Sequence, residues 1–239
     1  MRNWIIGAAA ILALAVPGVA AAQTGYVGAQ FGNVDSDGGD DDFYGVEGAV
    51  AFAGSGSIVF EVDAGYTDFD EGDEGYGLVG HVYGRNDDHL FGGFVGISGN
   101  DDSETYIVGL EANKYFANWT LAGAVAYANN DDADVDGFGV NAEARYFIND
   151  NFRLDGSIGW ANLDNGAGDD EDGFAYGVGG EYQFASVPVS ITAGYGTVDF
   201  DGGDADTWSI GLRYNWGGTL RDRDRNGASQ ASLVGIAGT

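Results

Sequence analysis

From Trp119 to Tyr146 the chain alternates strictly in side-chain size and polarity. Trp119, Leu121, Val125 and Tyr127 hold odd positions, with Thr120, Ala122, Ala124 and Ala126 between them. The segment 129–137 carries no apolar run and four aspartates. The alternation then resumes, with Phe138, Val140, Ala142, Ala144 and Tyr146 set against Gly139, Asn141, Glu143 and Arg145. Successive side chains of a strand point to opposite faces, so the stretch 118–147 reads as a hairpin with one apolar face and one small or polar face. Repeated around a ring, apolar outside and polar inside, this is the pattern of a barrel in lipid. The rest of the chain repeats it.

The pattern predicts twelve strands, at 24–33, 43–53, 57–67, 75–86, 88–99, 103–116, 118–129, 136–148, 151–163, 172–185, 187–198 and 206–216. Each supplies the roughly 9–11 residues that a tilted strand needs to span a membrane. The connections alternate in character. Five are short, and six are longer and acidic, centred on 35–42, 68–74, 100–104, 131–136, 164–172 and 199–206. Those six hold 26 of the 38 acidic residues and no Lys or Arg. Short turns on one side and long loops on the other, with an even strand count, describe an all-β, up-and-down, antiparallel transmembrane barrel. Aromatic residues predicted to face outward fall at two heights. Tyr44, Tyr106, Tyr127, Phe138, Tyr176, Tyr195 and Trp208 lie near the loops, and Phe116, Trp119, Tyr146, Phe152 and Trp216 near the turns. Two such belts suit the two lipid interfaces.

Composition agrees. With no cysteine, neither disulfides nor thiolate metal sites are available. A net charge of −29 excludes nucleic acid as a partner on electrostatic grounds. Residues 1–22 have a positive start at Arg2, an apolar run from Ile5 to Val16 and the small residues Ala20, Ala21 and Ala22. That is the plan of a secretory signal peptide, with a run too short for a spanning helix. The expected organisation is therefore signal peptide 1–22, outer-membrane barrel 23–216 and periplasmic C-terminal tail 217–239. The tail carries Arg221-Asp222-Arg223-Asp224-Arg225 and then small residues. It reads as a mobile segment, with plugging of the lumen and binding of a partner as the alternatives.

The opening Gly25-Tyr26-Val27-Gly28-Ala29-Gln30-Phe31-Gly32 and the closing Trp208-Ser209-Ile210-Gly211-Leu212-Arg213-Tyr214-Asn215-Trp216 resemble the small porin-like outer-membrane β-barrel proteins of Gram-negative bacteria, alphaproteobacteria among them. The resemblance covers residues 1 to about 216 and implies a fold and a location. It also implies outer-membrane lipid and the outer-membrane assembly machinery as partners. This chain departs from the pattern by running 23 residues past its terminal aromatic, Trp216.

Two motifs are set aside on physical grounds. Asp132-x-Asp134-x-Asp136-Gly137 with Glu143 satisfies the calcium-loop expression. Yet Glu143 lies seven residues beyond Asp136 in an alternating strand, roughly 20 Å away at about 3.3 Å per residue. Gly75-x-Gly77-x-x-Gly80 matches a dinucleotide fingerprint but opens a strand rather than a helix. Of the two histidines, neither has a serine at nearby alternate positions, so no nucleophile–base set is visible and no cofactor is expected.

The inward face carries the candidate pore-lining residues: Glu47, Glu61, Asp63, His81, Arg85, Glu111, Glu143, Arg145, Arg153, Asp155, Glu181 and Arg213. Between them stand mostly Gly, Ala, Ser and Thr, with larger Tyr26, Gln30, Tyr83, Tyr115 and Gln183. Two readings follow. Charges lining water make a narrow passive porin-like channel for small hydrophilic solutes. Charges pairing across the lumen make a non-conducting structural or surface-interaction barrel. The small inward residues favour the channel. The acidic loops predict a cation preference and loose binding of divalent cations. A turn centred on Asp150 sets Arg145 opposite Asp155, because a slip of two would oppose Arg145 to Arg153. Glu47, Glu61, Asp63, His81 and Arg85 are expected to form one cluster.

Overall fold

Period-two patterning with one apolar face becomes a closed sheet in the computed structural model, which describes residues 24–100, 102–164, 170–200 and 203–234. The expected signal peptide, residues 1–22, lies outside them. The twelve strands are β1 (Thr24–Ser36), β2 (Gly39–Ala53), β3 (Ile58–Phe69), β4 (Gly75–Arg85), β5 (His89–Gly99), β6 (Glu104–Tyr115), β7 (Trp119–Asn130), β8 (Val135–Asn149), β9 (Phe152–Asp164), β10 (Asp170–Gln183), β11 (Val189–Phe200) and β12 (Gly203–Trp216). Each pairs antiparallel with its sequence neighbour, and β1 pairs with β12 to close the barrel. Closure removes the sheet edges that would otherwise leave backbone groups unpaired in lipid.

The predicted faces hold. On β7 the side chains of Thr120, Ala122 and Ala124 are buried while Trp119, Leu121, Val125 and Tyr127 are exposed. So many exposed apolar side chains, from Phe60 and Phe91 round to Leu212 and Tyr214, are those of a surface in contact with hydrocarbon. At the loop-side height Phe31 packs against Tyr44 and Trp208, with ring centroids 5.2 and 5.5 Å apart. At the turn-side height Trp119 meets Tyr146 at 4.5 Å, and Tyr182 meets Phe152 and Phe184 at 6.0 and 5.4 Å. These are the two belts.

The acidic connections differ from expectation. Ladders run on into them, so that Asp35 pairs with Asp40 and Asp199 with Asp204. β1 and β2 are joined through Asp37 and Gly38 alone. Beyond the loop-side belt both faces of these strands meet water, which solvates opposed carboxylates at little cost. The sheet therefore projects past the membrane as an acidic rim. In the calcium-like motif Asp134 takes a positive φ of 53°, while Glu143 stands inside β8 as its periodicity requires.

The tail departs most. It does not hang free: Thr219 caps a helix over Leu220–Asn226 in a reciprocal capping box with Asp222, and a second turn spans Ala231–Val234. Leu220, Arg223, Asp224, Ala228 and Gln230 are buried against the barrel interior. β12 ends at Trp216 on the short-turn side, so residues 217–234 fold directly into that mouth.

Candidate functional site

The site is the lumen. All twelve candidate residues carry their side chains inward, on strands whose alternate residues form the apolar outer face. Their partners are decided by closure and by the tail. Register on β8 and β9 is as expected, with Arg145 opposite Asp155. Among the described residues no ion pair joins β8 to β9 at this level, however. Arg145 donates to Glu143, two residues along its own strand, at 2.7 Å and to Asp224 of the tail at 3.0 Å. Arg153 likewise donates to Asp155 at 2.8 Å on β9, and it also lies 3.8 Å from Glu181, its cross-strand partner on β10.

The single cluster expected across β2 to β4 resolves into three. Glu47 accepts from Arg213 Nε at 2.6 Å across the β1–β12 closure. His81 lies between Asp63, at 2.8 Å from Nε2, and Glu111, at 3.0 Å from Nδ1. A neutral imidazole has one N–H to give, so both contacts are satisfied together when both nitrogens carry hydrogen. Glu61 accepts from Tyr83 Oη at 2.6 Å, and Arg85 donates to the same hydroxyl at 3.2 Å, so Tyr83 stands between them. Glu61 and Arg85 then turn to the tail.

Glu181, on β10, is the hub of the opposite wall. It accepts from Ser190 Oγ, from Arg213 at 3.0 Å and from Arg223 of the tail at 3.0 Å. Tyr26 lies beneath both guanidinium groups, whose carbons sit 4.5 and 5.5 Å from the ring centroid. Counting the tail, the lumen and its mouth hold eight carboxylates, six guanidinium groups and one imidazole among the described residues, most of them in direct ion pairs. The interior is thus close to electrically balanced, while the rim is one-sidedly acidic.

The lumen also differs from end to end. At the charged level it is crowded: a β-carbon at Gly28 would meet Arg213 Cγ at 2.8 Å, and one at Gly179 would meet Asp155 Oδ2 at 2.5 Å. Nearer the loops the wall is uneven: β-carbons at Gly65, Gly75, Gly77 or Gly194 would meet nothing closer than 3.6 Å, whereas ones at Gly32, Gly96 and Gly173 would run into Phe43, Val79 and Phe200. The loop-side wall is open on β3, β4 and β11, and the turn-side half is filled. Bulky inward residues absent from the expected list also appear. Phe94 and Ile107 pack with Ala122 and Ala124 into an apolar patch on β5 to β7, and Leu90 and Phe147 are fully covered. In His89-Leu90-Phe91-Gly92-Gly93-Phe94 apolar residues fall on both parities, so alternation alone does not separate the faces.

Residues 78–221, more than half of the 239, match the family model described as Gram-negative porin. The chain belongs to the Gram-negative porins. This porin is a protein of the bacterial outer membrane and a porin-like channel barrel. Solved structures share its fold. The KdgM porin in complex with disordered oligogalacturonate is 9% identical, with a TM-score of 0.57, covering 79% of this chain and 99% of that one. An outer membrane channel from Pseudomonas putida F1 is 10% identical, with a TM-score of 0.62, covering 82% and 96%. The translocator domain of the autotransporter NalP from Neisseria meningitidis is 12% identical, with a TM-score of 0.54, covering 88% and 95%. No curated protein matches the sequence.

Proposed function

We propose that this porin is a narrow, passive channel for small hydrophilic solutes that prefers cations and carries out no covalent chemistry. The observation that supports it most is the asymmetry of the lumen. Glycines on β3, β4 and β11 leave its loop-side half partly open, and only the turn-side half is packed with paired charge. Selectivity then resides at the rim rather than at the constriction. The inner charges are nearly balanced, whereas the six acidic connections hold 26 carboxylates and no cationic side chain. A field of one sign concentrates counter-ions, and salt near physiological strength screens it within about 8 Å. The same collar would hold divalent cations loosely.

Reversal potentials of the full chain in a planar bilayer, across potassium chloride gradients at two ionic strengths and with calcium added, test this. Cation preference that is strong in dilute salt and weak in concentrated salt is the expected result. Anion preference, or a selectivity indifferent to salt, overturns it. The seated tail favours the alternative, a non-conducting structural or surface-interaction barrel. Absence of any conductance, with the tail seated or displaced, would establish that reading instead.

A further inference from the structure

We propose that the turn-side mouth of the barrel is a peptide-binding site whose ligand is the chain's own C-terminal segment, recognised through the adjacent pair Arg223 and Asp224. The barrel offers these two residues receptors of opposite charge. Arg223 reaches Glu181, whose carboxylate is buried, and lies over the Tyr26 ring. Asp224 takes Arg145 at 3.0 Å on one oxygen and Thr120 Oγ1 at 2.6 Å on the other. A charged group at such depth is held by paired hydrogen bonds or not at all.

The backbone that follows is read as closely. Glu61 Oε1 accepts from the N–H groups of Ser229 and Gln230, each at 2.9 Å. Arg85 donates to the Gly227 carbonyl at 2.9 Å, and Thr24 Oγ1 accepts from Ala228 N–H at 2.9 Å. Gln230 and Asn113 exchange amide hydrogen bonds at 2.9 and 3.3 Å. Contacts of this kind, from strands on opposite sides of the lumen, define sequence and direction together. A segment that merely filled space would leave these groups to water. Because one receptor is acidic and its neighbour basic, exchanging Arg223 and Asp224 opposes like charges at both while preserving composition and net charge. The binding claim stands apart from conduction; its effect on conductance rests on the channel reading above.

The chain has no cysteine, so Ala228→Cys in the full-length protein places one thiol on the tail itself, at a position buried against Tyr26, Ala49 and Ala51 when the tail is seated. Thiol modification should be slow in that protein and at least tenfold faster when Arg223→Asp and Asp224→Arg are added. A labelled synthetic peptide of residues 217–239 should then bind the exchanged chain saturably and the unexchanged chain weakly, and the exchanged peptide should bind neither. If the channel reading also holds, the unexchanged peptide added at the turn side lowers the conductance of the exchanged chain. Binding without a change in conductance leaves the peptide site standing and removes the channel consequence alone. Equal thiol protection in both chains, or equal binding of both peptides, overturns the proposal. Should the exchanged chain not fold, Asp224→Asn in the same Ala228→Cys background takes its place. Faster thiol modification and saturable binding of the unexchanged peptide then support the site, and unchanged thiol protection overturns it.

Discussion

Thr120→Val isolates one tail contact without altering the tail. Thr120 is fully buried on β7, and its hydroxyl donates to Asp224 Oδ2 at 2.6 Å. Valine keeps the β-branched shape and the strand preference, and it removes only the donor. A hydrogen bond to a charged group contributes about 1.5–3 kcal/mol. Asp224 keeps Arg145 on its other oxygen, so the loss should not exceed that range. At about 1.4 kcal/mol per decade, the released fraction of the tail rises roughly ten- to hundredfold. Trypsin reports it, because Arg221, Arg223 and Arg225 all lie in the segment and Arg223 is buried when it is seated. With cleavage slow relative to reclosing, the rate follows the population of the released form. The tail sequence is identical in both proteins, so intrinsic cleavage preferences cancel. Cleavage within twofold of the parent, in a barrel that remains folded, would refute the argument that this buried contact holds the tail.

Leu110 projects two-thirds exposed from the middle of β6, between Tyr106 and Phe116 of the two belts. Leu110→Arg should cost about 2–4 kcal/mol in urea unfolding from lipid and Tyr106→Arg about 0–1; equal costs would contradict the assigned membrane depth. Gly77→Trp enters open lumen and should reduce conductance with the barrel intact, whereas Gly109→Leu meets the Phe94 ring and the Val125 carbonyl at 2.5 Å and should lower the yield of folded barrel. Replacing Asp35, Asp40, Asp199 and Asp204 of the rim with Asn should weaken the cation preference, since these side chains carry part of the charge that attracts cations; unchanged reversal potentials would place selectivity elsewhere.

The strands, their faces, both aromatic belts and the register of Arg145 against Asp155 were legible in the sequence. Each follows from the two-residue period of a strand and from turns that join neighbours, so local order suffices. The inward direction of all twelve charged candidates was legible for the same reason. Their partners were not. Glu47 meets Arg213 only because the first and last strands close the ring, 166 residues apart, and Arg145 finds Asp224 rather than Asp155. The apolar patch at Phe94 and Ile107 was hidden because the Gly92-Gly93 pair interrupts the alternation that assigns faces. The tail was hidden most deeply. Apart from Leu220 its helix is polar, Arg221-Asp222-Arg223-Asp224-Arg225-Asn226, and has no periodic apolar face to announce a buried site. Thr219 with Asp222 was the local signal of a helix start. What that helix packs against is set by complementary charges on strands distant in sequence, which only the closed barrel brings to one mouth.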